Sequence, residues 1–394
     1  MDRITLVFFL ICSSLIASAQ DEYVYEYIEK GDTSRSLLEN KLVQIEATEA
    51  INDLYNFEFE KSYRHFLYLK KHYGWHPLPY FMIGLNYWWR ILPNVEEKKW
   101  DEPFIAYMDS SILLAERLRE KYNKVEGAFF LAAAYAFKGR LYSDRGEYTK
   151  AAFAGKNSLK YLEECKGHEE LSPELLFGDA LFNYYAEWIP ENYPLLKPLM
   201  IMFPDGDKQL GIQQLKTVAR NAFYTRTEAQ YYLMRIAYFE DGDYATSLQL
   251  AEYLHETFPK NSYFHRFYAR LLYQTGKYDL ALKESHSMLN RIDSAWAGYE
   301  SNAGRYAAFF TGHINEIRRN YDEAKKYFKL AMEYSEYGGH TDMGYYFYSI
   351  LHLGRIAMAE GDNEAAEEYF KQVKKLTKRK HPANEEARER LKEL

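Results

Sequence analysis

Three closely spaced histidines are the residues of this chain best suited to metal chemistry: His65, His72 and His76. His72 and His76 stand at i, i+4 and would share one face of a helix. A closed zinc site needs four nitrogen, sulfur or oxygen donors, and a catalytic one needs three. No thiol or carboxylate at a matching spacing completes this set. A histidine near the end of a helix is also favoured by the helix dipole. The expectation is a structural role and no metal. Carboxylate pairs such as Glu163-Glu164 and Glu169-Glu170 could in principle share a proton, but on acidic helices such pairs form solvated faces. No Gly-x-Ser-x-Gly elbow, His-Glu-x-x-His helix, phosphate loop or dinucleotide fingerprint is present. Nothing in the sequence therefore proposes a catalyst, and no cofactor is expected.

The elements that could position such residues are read from composition and periodicity. The chain has 394 residues, of which 47% are hydrophobic, enough for a large core. Aromatics reach 17%, led by 38 Tyr, while Pro is only 11, which favours packed helices over short strands. A net charge of -7 gives no support to nucleic-acid binding. Arg3, the apolar run Ile4 to Cys12 and Ala17-Ser18-Ala19 read as a signal peptide over residues 1–19, cleaved before Gln20. Ile11 stands where a lipobox would want a small residue, so Cys12 is not expected to be lipidated. One cysteine then remains, Cys165, and cannot form an internal disulfide. No later stretch is long and apolar enough to span a bilayer. The expected location is therefore periplasmic or outer-membrane-associated.

An internal repeat organises the rest. Tyr231, Met234 and Tyr238 lie at i, i+3, i+7 and mark one helix face. Gly242-Asp243-Tyr244 follows, then Ser247, Ala251 and Leu254. Shifted by 34 residues the pattern returns as His265, Tyr268 and Leu272, then Gly276-Lys277-Tyr278, then Ala281, Ser285 and Met288. Gly242 suits a left-handed helix terminus, Asp243 an N-cap, and the small residues a close approach of two backbones. Further copies carry Tyr80-Ile83-Gly84-Tyr87, Tyr135-Gly139-Tyr142, Phe177-Gly178 with Gly211 and Leu215, Ala324-Phe328-Ala331, and Gly354 with Ala366 and Phe370. The last small residues are separated by longer steps, 43 from Ala281 to Ala324 and 42 to Ala366.

This pattern resembles the tetratricopeptide repeat of exported bacterial envelope proteins, whose period is 34. The resemblance implies an all-α fold, a right-handed α-α superhelix of about eight helix pairs. The expected organisation is a signal peptide at 1–19, an N-terminal arm at 20–38, the repeat domain at 39–378 and a capping helix at 379–394 with Asn384 as its N-cap. It also implies a concave face lined by first-helix residues. Carried onto this chain, that face holds Phe81, Trp88 and Trp89; Arg140 and Asp144; Tyr232 and Phe239; Tyr263, Arg266, Arg270 and Tyr273; Tyr306, Phe309 and His313; and Tyr348 and Arg355. Aromatics and arginines dominate binding hot spots. Two adjacent tryptophans cannot both enter one helix-pair seam, which singles out Trp88 and Trp89 as groove residues.

Two segments stand apart. The Pro-rich stretch from Trp188 to Pro204 holds a dense apolar run and is expected to be a buried plug. The basic run Lys371, Lys374, Lys375, Lys378, Arg379 and Lys380 suits a helix C-terminus. The function expected from all this is a non-enzymatic scaffold in the cell envelope that binds partner proteins or peptides. The alternative is a carbohydrate- or nutrient-binding protein using the groove aromatics.

Overall fold

The computed structural model describes residues 36–168, 172–201, 203–240 and 242–394. The expected signal peptide and nearly all of the expected arm lie outside these residues. Among the described residues there is no strand, and helices pack pairwise in sequence order. No helix among them is long and apolar enough to cross a membrane.

The chain divides into two compact units. Unit 1 takes Phe59–Ile91 and Glu97–Tyr232 together with the described residues up to Leu54. It contains α1 (Lys41–Tyr55) up to Leu54, α2 (Phe59–Tyr73), α3 (Pro77–Ile91), α4 (Asp101–Lys121), α5 (Lys124–Asp144) and α6 (Tyr148–Cys165). It continues with α7 (Leu175–Asn192), the short α8 (Lys197–Met200), α9 (Lys208–Asn221) and the first half of α10 (Arg226–Phe239). Unit 2 takes Tyr55–Glu58, Leu92–Glu96 and Leu233–Leu394. Its helices are the end of α10, α11 (Tyr244–Thr257), α12 (Ser262–Gln274), α13 (Tyr278–Asp293), α14 (Ser301–Ile317), α15 (Tyr321–Tyr337), α16 (Gly344–Glu360), α17 (Asn363–Leu376) and α18 (Pro382–Glu393).

The repeat chemistry is visible residue by residue. Gly276 takes φ 73° after α12, its N–H reaches the Tyr273 carbonyl, and the Lys277 N–H reaches the Leu272 carbonyl. That is the left-handed helix end a side chain would resist. Asp243 accepts from the Thr246 N–H and caps α11, as expected. The small positions of the second helices, Ser247, Ala281, Ala324 and Ala366, are all fully buried. Their neighbours Leu254, Met288, Phe328 and Phe370 fill the seams beside them, each worth about 1.5–3 kcal/mol of burial. The long steps arise mainly from longer helices. α14 has 17 residues where α12 has 13.

Unit 2 also builds in two short pieces from early in the sequence. Asn261 Nδ2 donates to the Tyr55 carbonyl at 2.8 Å, and the Lys260 N–H to Asn56 Oδ1 at 2.9 Å. The Pro93 carbonyl accepts from Arg266 at 2.9 Å and from Asn302 at 2.8 Å.

Two expectations are corrected. Asn384 does not cap the last helix. His381 does, accepting from the Ala383 N–H with Pro382 in the first turn. Asn384 is buried instead, and its amide donates to the Lys374 and Thr377 carbonyls, tying α18 to the end of α17. The Pro-rich stretch is not a buried plug. Leu195 is 94% and Ile201 83% exposed, because Pro194 and Pro198 break the segment into a single 3-10 turn and the one-turn α8, too short to bury a face.

Candidate functional site

In unit 1 the aromatic residues expected to face a partner are instead core. Trp88 packs on Phe104 and Phe137, with ring centroids 5.7 and 5.6 Å apart, and is 2% exposed. Trp89 points the other way, and its indole Nε1 donates to Glu228 at 2.9 Å. The two tryptophans do avoid a common seam, but they divide between two internal seams rather than turning outward. Phe81 meets Phe130 and Phe137 edge to face, and Tyr232 is enclosed by Phe177, Tyr185 and Tyr231. Arg140 pairs with Asp144 at 3.0 Å one turn along the same helix.

What periodicity did not disclose in unit 1 is a set of buried glutamates at helix starts. Glu174 is 1% exposed and precedes α7. Its carboxylate accepts from the N–H groups of Phe223, Tyr224 and Thr225 and from the Thr225 hydroxyl. Glu126, in the first turn of α5, accepts from the Leu38 N–H at 2.9 Å and lies 3.3 Å from His76. Burial pushes its carboxyl upward, but His76 and these hydrogen bonds outweigh that and hold it below its ordinary value. Glu228 sits in the first turn of α10. Each carboxylate also meets the positive end of a helix. His76 thus belongs to this glutamate network, while His72 packs against the Tyr68 ring at a tilt and His65 faces Asp53 at 3.9 Å, so the three histidines form no common site.

In unit 2 the expected residues do come together. Tyr263, Arg266, Arg270 and Tyr273 form one stripe along α12, at i, i+3, i+7, i+10. Arg266 lies over the rings of Tyr263 and Tyr306, both at 5.4 Å. Arg270 lies 4.6 Å from the Tyr238 ring centroid and reaches the ring of Phe239, which is 51% exposed. Tyr273 stacks on Phe310 at 4.3 Å and is hydrogen-bonded to His313. Tyr306 and Phe309 of α14 each meet Tyr345 of α16 at 4.7 Å. Tyr348 and Arg355 continue the stripe on α16, half-buried, and Phe309 itself is buried beneath it.

The sequence reading missed Arg305 and Tyr345. Arg305 is 8% exposed, lies over the Tyr306 ring, and donates Nε to the Asn302 side chain at 2.9 Å. Burial lowers its pKa, with Arg266 adding to that effect and Glu96 opposing it. None of Arg266, Arg270 and Arg305 pairs with a carboxylate among the described residues, and the Nε of Arg270 is buried without an acceptor. Glu96, the nearby acid, instead faces His340 at 3.3 Å. Burial also raises the hydroxyls of Tyr273 and Tyr345 well above the usual phenol range.

Two histidine–carboxylate clusters flank this ribbon. His265 of α12 donates to or accepts from Tyr299 at 2.9 Å and bonds Glu284 at 3.0 Å, with the His255 ring stacked on it at 4.4 Å. Burial lowers the His265 pKa from 6.5 to about 4. His255, 3.6 Å away, and the hydrogen bond with His265 hold Glu284 well below the usual carboxylate range. Both depressed values stabilise the fold at neutral pH and are lost in acid, because the unfolded chain takes up the proton first. His265 alone is expected to cost about 2 kcal/mol between pH 7 and pH 5. Thermal melts of wild type and His265→Gln over that range should show the shallower slope in the variant. Equal slopes would remove this residue from the acid response. In the second cluster, His313 and Glu316 of α14 meet His352 of α16. Burial lowers His313 to about 4, so it is neutral at physiological pH.

No family model matches the chain, and no curated protein does. Among solved structures, human IFIT1 in a dimer with PPP-AAAA is 13% identical, with 81% of this chain and 68% of that one covered and a TM-score of 0.40. Yeast Tom70 is also 13% identical, with 78% of this chain and 63% of that one covered and a TM-score of 0.38. Neither superposition is close, and the repeat assignment rests on the paired helices, glycine ends and small seam residues of the chain itself. The fold is an all-helical, tetratricopeptide-like repeat.

Proposed function

We propose that the protein is a non-catalytic scaffold that holds an extended, carboxylate-bearing segment of a partner protein along the Tyr–Arg ribbon of unit 2. The observation that carries this reading is that Arg266, Arg270 and Arg305 have no carboxylate partner among the described residues. A guanidinium taken out of water is costly unless an anion answers it. Here one buried and two half-buried guanidiniums sit together with ring faces around them and, among the described residues, no carboxylate partner. A partner's Asp or Glu would supply the fork-shaped acceptor that guanidinium recognises, and the tyrosines would bury its aliphatic parts. The leader-like N-terminus supports an exported setting, periplasmic or attached to the outer membrane through the partner. The glycan reading loses the two tryptophans of the aromatic face it rested on, since the buried rings of Trp88 and Trp89 offer no face to a sugar.

The test is crosslinking in intact cells followed by mass spectrometry, then binding of the captured segment as a synthetic peptide. Arg266→Ala and Arg270→Ala should each weaken that peptide by about 1.5–3 kcal/mol, roughly tenfold or more, and flatten its salt dependence. Crosslinks confined to surfaces away from α12, α14 and α16 would overturn the proposal. So would unchanged affinity in both variants.

A further inference from the structure

Where the ribbon ends, His313, Glu316 and His352 converge in a way that peptide binding does not use. His352 Nδ1 lies 2.6 Å from a carboxylate oxygen of Glu316, and both atoms are buried. Yet neither makes a hydrogen bond. An N–H aimed at an oxygen so near would form a short, strong bond. At 2.6 Å it is direction, and not separation, that denies the pair a hydrogen bond. Two neighbouring ligands of one cation stand in that relation, each lone pair turned toward a shared point rather than toward the other atom.

The third member fits the same reading. His313 packs edge-on against His352 with ring centroids 4.8 Å apart. Its Nδ1 is engaged by the Tyr273 hydroxyl at 2.8 Å, which leaves Nε2 for a cation. Metal-bound histidines nearly always have their second nitrogen held in this way. Arg355 lies 3.6 Å from the other oxygen of Glu316. In the other two three-residue groupings of histidine and carboxylate among the described residues, the central groups are engaged. Both ring nitrogens of His265 have partners, and Lys61 pairs with both Glu49 and Asp53 beside His65.

We propose that His313, Glu316 and His352 bind one divalent transition-metal ion. Two imidazoles and one carboxylate are a donor set that zinc and ferrous iron accept, with at least one coordination position left open. The donor atoms lie within 4.8 Å of one another. Ligands at about 2.1 Å from one ion stand roughly 3 to 3.5 Å apart, so the wider separations close by about an ångström while the His352–Glu316 pair, now 2.6 Å apart, opens as the ion enters. A cavity of about 400 Å³ adjoins His313 and Glu316, and its wall carries Arg319, Arg355 and Arg390. The open position thus faces cationic side chains and favours an anionic oxygen as the remaining ligand. The ion would also clasp α14 to α16.

The experiment is titration of the chelator-treated full chain with Co²⁺, read by its visible absorption, followed by displacement with Zn²⁺. One equivalent should bind. His352→Ala and Glu316→Gln should each weaken binding by at least roughly 100-fold, and Tyr273→Phe by about tenfold through loss of the outer hydrogen bond. His265→Gln, in the other cluster, should leave the titration unchanged. If His352→Ala does not fold by circular dichroism, Glu316→Gln, which keeps the side-chain shape, decides the matter. The inference is overturned if the wild type takes up no stoichiometric metal, if Glu316→Gln titrates like the wild type, or if His265→Gln loses the metal equally.

Discussion

Glu174→Ala is expected to lower stability by about 3–5 kcal/mol, although the residue lies in no repeat motif and touches no proposed ligand. Its carboxylate satisfies three consecutive backbone N–H groups and the Thr225 hydroxyl just before α10. Alanine would leave all of them buried or half-buried without an acceptor and would remove a negative charge from the start of a helix. Glutamine keeps the shape but accepts through a single, uncharged oxygen, so Glu174→Gln should lie roughly midway. Urea denaturation followed by circular dichroism measures this as a fall in midpoint at constant slope. A Glu174→Ala protein within about 1 kcal/mol of wild type would contradict the account, since such a loss is typical of an ordinary surface change.

Trp89→Ala should cost about 3–5 kcal/mol as well, from lost aromatic volume and from the lost hydrogen bond to Glu228. Its effect on partner binding, measured on the folded fraction, should be nil. Trp89→Phe separates the two contributions, because it retains most of the packing against Tyr231 but not the bond to Glu228. If Trp89→Ala melted like the wild type and yet lost its partner, the groove reading of the tryptophans would have to be restored.

These two residues mark where sequence reasoning succeeds and where it stops. Gly276, Asp243, Ala281 and Phe370 are legible because a helix end, a cap and a tight seam each demand a particular residue type at a particular offset. Trp89 misled because a repeat template assigns faces from an average register. The side chain follows its actual neighbours, and its polar partner Glu228 lies 139 positions away. The α12 stripe was legible since Tyr263, Arg266, Arg270 and Tyr273 keep helical spacing. Arg305 was not, because it sits one residue off the template beside Tyr306, and only packing shows that its charge is buried. The convergence of Glu316 with His352 spans two repeats of unequal length, so no fixed spacing could announce it.

The two early segments built into unit 2 bear on how the chain folds. A repeat array can ordinarily nucleate anywhere and propagate between neighbours, with every contact local. Here Asn261 must find the Tyr55 carbonyl across 206 residues, and Asn302 must find that of Pro93 across 209. Closing loops of that size carries an entropic cost that local helix pairing does not, and raises the contact order of a fold otherwise built from near neighbours. A late, slow phase should therefore follow rapid helix formation. A fragment begun at Leu233 would lack the carbonyl that anchors Arg266, and with it the register of the ribbon.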